Sequence, residues 1–159
     1  MALVKGTNSY ATVLEADTYF ADRIDVAAWT SADATKKSQA LITATASLDE
    51  QTWAGEAVSV SQPLAFPRIA EYFDPKLGKL NYLDGTLVPD RVIKACYELA
   101  YHLVKNSEIL DASTQIKNIQ VGSIKLDNVI NISKMSPVAR QLIRPLLING
   151  GSNVWFRAN

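Results

Sequence analysis

The chain has one cysteine and one histidine among its 159 residues. A single cysteine, Cys96, excludes an intramolecular disulfide. A single histidine, His102, leaves little material for acid–base chemistry near neutral pH or for a histidine-based metal site. No apolar run approaches the roughly 20 residues needed to span a bilayer, so no membrane-spanning helix and no membrane partner are expected. The N-terminus has no basic stretch ahead of a long apolar one, so no signal peptide is expected. No glycine-rich phosphate loop follows a strand pattern; Gly150-Gly151 comes after a helical stretch. No acidic residue occurs after Asp127.

That last absence exposes a charge asymmetry hidden by a net charge of zero. Residues 1–116 carry 10 basic and 15 acidic residues, whereas residues 117–159 carry 6 basic residues and one acid. Such a split suits an end that meets an anionic surface, nucleic acid or acidic protein. Apolar residues make up 48% of the chain and charged residues 20%. That is ordinary for one globular domain and excludes wholesale disorder.

Hydrophobic periodicity predicts four helices. Thr12 and Glu15 form a capping-box pair ahead of Val13, Ala16, Phe20 and Ile24, giving a first helix over about Val13 to Arg23. Trp29 follows in a turn closed by Ser31 and Asp33. A second helix is predicted over about Ala32 to Gln51, with Ser31 as its N-cap. Its face is Ala34, Leu41, Thr45 and Leu48, and Gly55 suits a left-handed turn beyond it. Pro89 can open a third helix to about Asn106, whose stripe of Val92, Cys96, Leu99 and Leu103 makes it the central element. Ser136-Pro137 opens the last helix, which Pro145 should end or kink.

Two segments lack that periodicity. Residues 56–87, with Pro63, Pro67, Pro75, Gly78, Asn81 and Gly85, read as a long irregular loop pinned by Phe66, Tyr72, Phe73 and Tyr82. In Ile119-Gln-Val-Gly-Ser-Ile-Lys-Leu126, Gly122-Ser123 is a hairpin turn signal that puts Ile119, Val121, Ile124 and Leu126 on one side. The expected fold is thus mainly α, about a four-helix bundle with a long irregular loop and one short β-hairpin. The expected organisation is a helical domain over 1–148 and a C-terminal extension over 149–159.

Catalysis finds little support. His102 lies within a helix and reads as structural, and Cys96 lies on the core face. The acidic pairs Asp22/Asp25 and Asp49/Glu50 lack a metal-ligand pattern. No enzyme activity, metal or cofactor is therefore expected. The tail after Gly150-Gly151 carries Val154, Trp155, Phe156 and Arg157, residue types that favour a partner site over solvent. Arg68, following Phe66-Pro67, has a five-donor fork suited to pinning carbonyls in a loop.

Several motifs resemble those of a family of small tailed-bacteriophage proteins. Asn8-Ser-Tyr10 precedes a helix with Ala16-Asp-Thr-Tyr19. Leu41-Ile-Thr-Ala-Thr-Ala-Ser-Leu-Asp49 is followed by Trp53-Ala-Gly55. Gln62-Pro-Leu-Ala-Phe-Pro-Arg68 and Val88-Pro-Asp-Arg-Val-Ile-Lys94-Ala95, with Glu98-Leu-Ala100, are the most specific. The resemblance covers about residues 8–148 and leaves the tail Ser152–Asn159 outside its pattern. Members are often labelled DnaT-like single-stranded DNA-binding proteins, and they also resemble head–tail connector (adaptor) proteins of long-tailed phages.

The connector resemblance implies a non-catalytic virion protein at the head–tail junction, assembled in the host cytoplasm as a twelve-fold homo-oligomeric ring below the portal. Viral DNA would pass non-specifically through the channel during genome ejection. Its partners would be the portal protein, neighbouring copies and a stopper or tail-completion protein. On this reading Val154, Trp155, Phe156 and Arg157 contact the portal or a neighbouring ring. Lys117, Ile119, Val121, Ile124, Lys125, Lys134, Arg140 and Arg144 face another subunit or the channel. The alternative is a single-stranded DNA-binding module, which should carry a basic groove interleaved with aromatics. A sequence pI of about 6.6 argues against nucleic acid as the main ligand.

Overall fold

A computed structural model describes residues 2–106 and 134–148. Among the described residues, five α-helices and a three-stranded antiparallel sheet form one core. The helices are α1 (Val13–Ala21), α2 (Ala27–Thr30), α3 (Ala34–Asp49), α4 (Asp90–Lys105) and α5 (Pro137–Ile143), the last followed by a 3-10 turn, Arg144–Leu146. The strands are β1 (Glu56–Ala57), β2 (Arg68–Asp74) and β3 (Lys79–Asp84), paired in the order β1-β2-β3. The fold is therefore mixed α/β, which corrects the expectation of a four-helix bundle. The hairpin expected at Ile119–Leu126 lies outside the described residues.

The strands occupy about half of the stretch expected to be an irregular loop, and residues 58–67 between β1 and β2 stay irregular. Asp74 reverses the chain: its carbonyl accepts from the amides of Leu77 (3.1 Å) and Gly78 (2.8 Å), and its carboxylate from the Lys76 amide at 2.8 Å. The strands then pair with Glu71 opposite Tyr82 and Phe73 opposite Leu80. Ala70, Tyr72 and Asp74 point inward, while Ile69, Glu71 and Phe73 point out. Both faces hold apolar side chains, so the hydrophobic alternation that normally marks a half-buried strand is blurred.

The first helix begins as expected. The Thr12 hydroxyl accepts from the Glu15 amide, and the Glu15 carboxylate accepts from the Thr12 amide. It stops at Ala21, which leaves Ile24 94% exposed rather than on a buried face. Trp29 lies in the short helix α2, not in a turn, and is buried. α3 starts two residues later than expected because Asp33 supplies the cap, accepting from the Lys36 amide at 2.8 Å. The Ser31 hydroxyl instead donates to the Ala28 carbonyl.

α4 is the central element, packed on α2, α3 and α5. Val92, Cys96, Leu99 and Leu103 are all buried, with Ala95 and Ala100 beside them. Glu98 is buried on the same helix, where it accepts from the Tyr19 hydroxyl at 2.7 Å and pairs with Arg23. α5 is anchored by Ala139 and Ile143, while Val138 is exposed. The helix ends ahead of Pro145. The chain then runs antiparallel to residues 52–54: Ala54 N–H donates to the Leu146 carbonyl (2.9 Å) and Ile148 N–H to the Thr52 carbonyl (3.0 Å).

Candidate interaction surface

The residues that carry the family resemblance converge inside the molecule. The Tyr10 hydroxyl donates to the Asp49 carboxylate and accepts from the Phe66 amide, while the Ala65 amide donates to the same carboxylate. This single hub joins the N-terminal segment, the end of α3 and the Gln62–Arg68 motif. Burial, and then the Asp49 charge, pushes the Tyr10 phenol far above its usual value. Burial also raises the Asp49 carboxyl, outweighing the hydrogen bonds that favour its ionised form. Trp53 packs edge-on against Phe66, with ring centroids 4.8 Å apart. Gln62 Nε2 donates to the carbonyls of Leu64 (2.7 Å) and Pro67 (3.2 Å).

Arg68 spans three backbone carbonyls. Its Nε donates to Ala54 (3.1 Å), Nη1 to Ala65 (3.3 Å) and Nη2 to Gly55 (2.7 Å). An ammonium cannot reproduce that planar fork. Arg68→Lys is expected to cost about 1–2 kcal/mol in chemical denaturation, through loss of one or two hydrogen bonds. A midpoint equal to the parent's would mean that the fork contributes no net stability.

Cys96 is buried in the core and His102 lies half-buried on α4. The Cys96 thiol lies 3.4 Å from the Thr45 hydroxyl, and burial pushes it up to about 11. His102 lies near the end of α4, with Nδ1 3.4 Å from the Asn106 amide nitrogen. Among the described residues, no three of His, Cys, Asp and Glu stand together as a metal-holding group. Nor, among them, is any helix long and apolar enough to cross a membrane.

The chemistry lies on the outside instead. The outer face of the sheet exposes Ile69 (43%), Phe73 (55%), Leu80 (63%) and Tyr82 (61%). Three carboxylates punctuate it: Glu71 opposite Tyr82, with Glu56 and Asp84 on either side of Ile69. Asp84 accepts from the Thr86 hydroxyl and amide, which hold its carboxyl below the usual range. On the inner side, burial pushes the Asp74 carboxyl up. The Lys76 amide, Arg91 guanidinium and Tyr72 hydroxyl outweigh that and hold it low. The outer-face cluster was missed because Phe73 and Tyr82 read as loop-pinning aromatics. Of the four so read, Phe66 and Tyr72 are buried, but Phe73 and Tyr82 are not. The signal that could have found them is the pair of six- and seven-residue runs flanking the Asp-Pro-Lys-Leu-Gly turn.

Lys134, Arg140 and Arg144 are exposed, just before α5, on it and just after it. None forms an ion pair among the described residues. Lys117, Ile119, Val121, Ile124 and Lys125 lie outside the described residues, as do Val154, Trp155, Phe156 and Arg157. The cations of residues 2–106 are mostly committed. Lys5, Arg23, Lys37, Arg91, Lys94 and Lys105 each face a carboxylate and Arg68 binds carbonyls, which leaves Lys36, Lys76 and Lys79 without an ion pair or a carbonyl clasp of that kind among the described residues.

No curated protein and no solved structure matches the chain. A family model does, from residue 2 to residue 159. The match takes in Ser152–Asn159, so the tail lies within the family pattern rather than beyond it. DNA is compatible as a partner with the family's description. The chain belongs to the family described as "Putative DnaT-like ssDNA binding protein".

Proposed function

We propose that the chain is a DNA-associated structural protein of a phage virion, a connector that assembles with copies of itself as a ring below the portal. Viral DNA would pass through that ring without sequence recognition. The family's description names DNA binding and not a connector. The connector reading rests on the motif resemblance and on one observation, the outer face of the sheet. Its exposed Ile69, Phe73, Leu80 and Tyr82 are interrupted by Glu71 and Asp84. Apolar and aromatic surface studded with carboxylates suits a protein partner, since a phosphate backbone is repelled by them. Lys134, exposed just ahead of α5, supplies a cation for non-specific contact with DNA.

Single-stranded DNA binding as the primary activity is the second reading. The family's description favours it, and so do the exposed rings of Phe73 and Tyr82, on which bases could stack. Two measurements separate the readings. Negative-stain imaging of the chain mixed with its portal is expected to reveal a ring added to the portal face. Fluorescence anisotropy with a labelled oligothymidine at near-physiological salt is expected to give only weak, salt-sensitive binding. Tight oligonucleotide binding abolished by Phe73→Ala or Tyr82→Ala, together with no portal attachment, would establish the second reading in place of the first.

A further inference from the structure

We infer that the outer face of the β-sheet is one half of a contact between copies of this chain, and that the basic surface around α5 is the other half. The partner it names, a second copy, rests on the connector reading. The two surfaces are complementary. The sheet presents Phe73, Leu80 and Tyr82 around Glu71, whose carboxylate has no ion pair among the described residues. The α5 surface presents Arg140 and, in the turn that follows the helix, Arg144, both exposed and about one helical turn apart.

One copy cannot satisfy both surfaces internally. The sheet's inner side carries Tyr72 into the same core as Ala139 and Ile143 of α5, so its outer side looks away from that helix. A contact using two different patches is heterologous, and repeats from copy to copy until it closes as a ring or continues as a filament. Charge complementarity fixes the register, and the aromatic side chains supply the apolar centre.

The test uses the full chain in sedimentation velocity over a range of concentrations. Glu71→Lys, and separately Arg140→Glu with Arg144→Glu, change exposed groups and are expected to keep the parent's thermal midpoint. Each is expected to weaken self-association by about tenfold or more. The three changes combined in one chain restore opposite charges across the contact and are expected to recover most of that loss. Phe73→Ser is expected to weaken association without altering charge. A parent that stays monomeric throughout, unchanged association in the charge variants, or no recovery in the combined variant would each overturn the inference. An exclusive effect of Glu71→Lys on oligonucleotide affinity would overturn it too, by giving the face to nucleic acid. Portal attachment is scored separately, so loss of the connector reading is distinguishable from loss of this contact.

Discussion

Gly55→Ala is expected to destabilise the domain by roughly 2–6 kcal/mol, combining ~1–3 for a non-glycine residue in the left-handed region and ~1–3 for overpacking. Gly55 has φ +72°, and a methyl group there would meet the Ile69 carbonyl oxygen at 2.0 Å and the Ala70 Cβ at 2.5 Å. Both neighbours belong to β2, whose backbone is held by β1 and β3 on either side. The strand cannot retreat without breaking a ladder, and the Gly55 carbonyl itself accepts from Arg68. Gly78→Ala is the control. Gly78 also has positive φ, at +64°, but nothing lies within 4 Å of its added methyl. It should report the conformational part alone, about 1–3 kcal/mol. Equal losses for the two variants in urea denaturation would show that close approach to β2 contributes nothing.

Trp29→Ala is expected to cost about 3–5 kcal/mol, the range for emptying a large buried aromatic site. Trp29 is only 1% exposed, its ring centroid is 5.0 Å from that of Phe20, and its Nε1 donates to Asp17 at 2.8 Å. Lys37 completes the cluster, with its ammonium 2.8 Å from Asp17 and 5.5 Å from the centre of the indole. The indole thus fills a hole between α1 and α3 and also orients an ion pair. Trp29→Phe keeps most of the volume and leaves Asp17 its lysine, so about 1–2 kcal/mol is expected. Monitored by far-UV circular dichroism, a Trp29→Ala loss below about 1 kcal/mol would mean that α2 does not close over the core.

Local signals are strong where one residue decides an element's end. The Thr12–Glu15 reciprocal cap, the break at Pro145 and the long stripe from Val92 to Leu103 each depend on chemistry within a few residues. Each stands where that chemistry puts it. The start of α3 slipped because two capping side chains compete within three residues. A carboxylate at Asp33 outdoes a hydroxyl at Ser31 as an acceptor for helix-end amides. Ile24 lost its expected burial when α1 ended at Ala21, two residues earlier than expected.

The candidate site was less legible. Arg68 could be singled out from its planar donors and its place after a proline, but its three carbonyl partners come from two separate stretches of chain. Lys134, Arg140 and Arg144 were evident from the absence of acids around them. Phe73, Leu80 and Tyr82 could not be read as a surface, because that surface exists only once β2 and β3 pair.

By itself, the sequence determined four of the five described helices, the charge asymmetry and the family motifs. These are set by short-range capping, by 3.6-residue periodicity and by composition. Only the tertiary structure decided that three strands within residues 56–84 pair as a sheet and that the motif residues close an internal clasp. It also turned Phe73 and Tyr82 outward. The reason is physical: strand pairing and side-chain burial depend on partners distant in the chain. Where both faces of a strand are apolar, no local pattern says which one meets water.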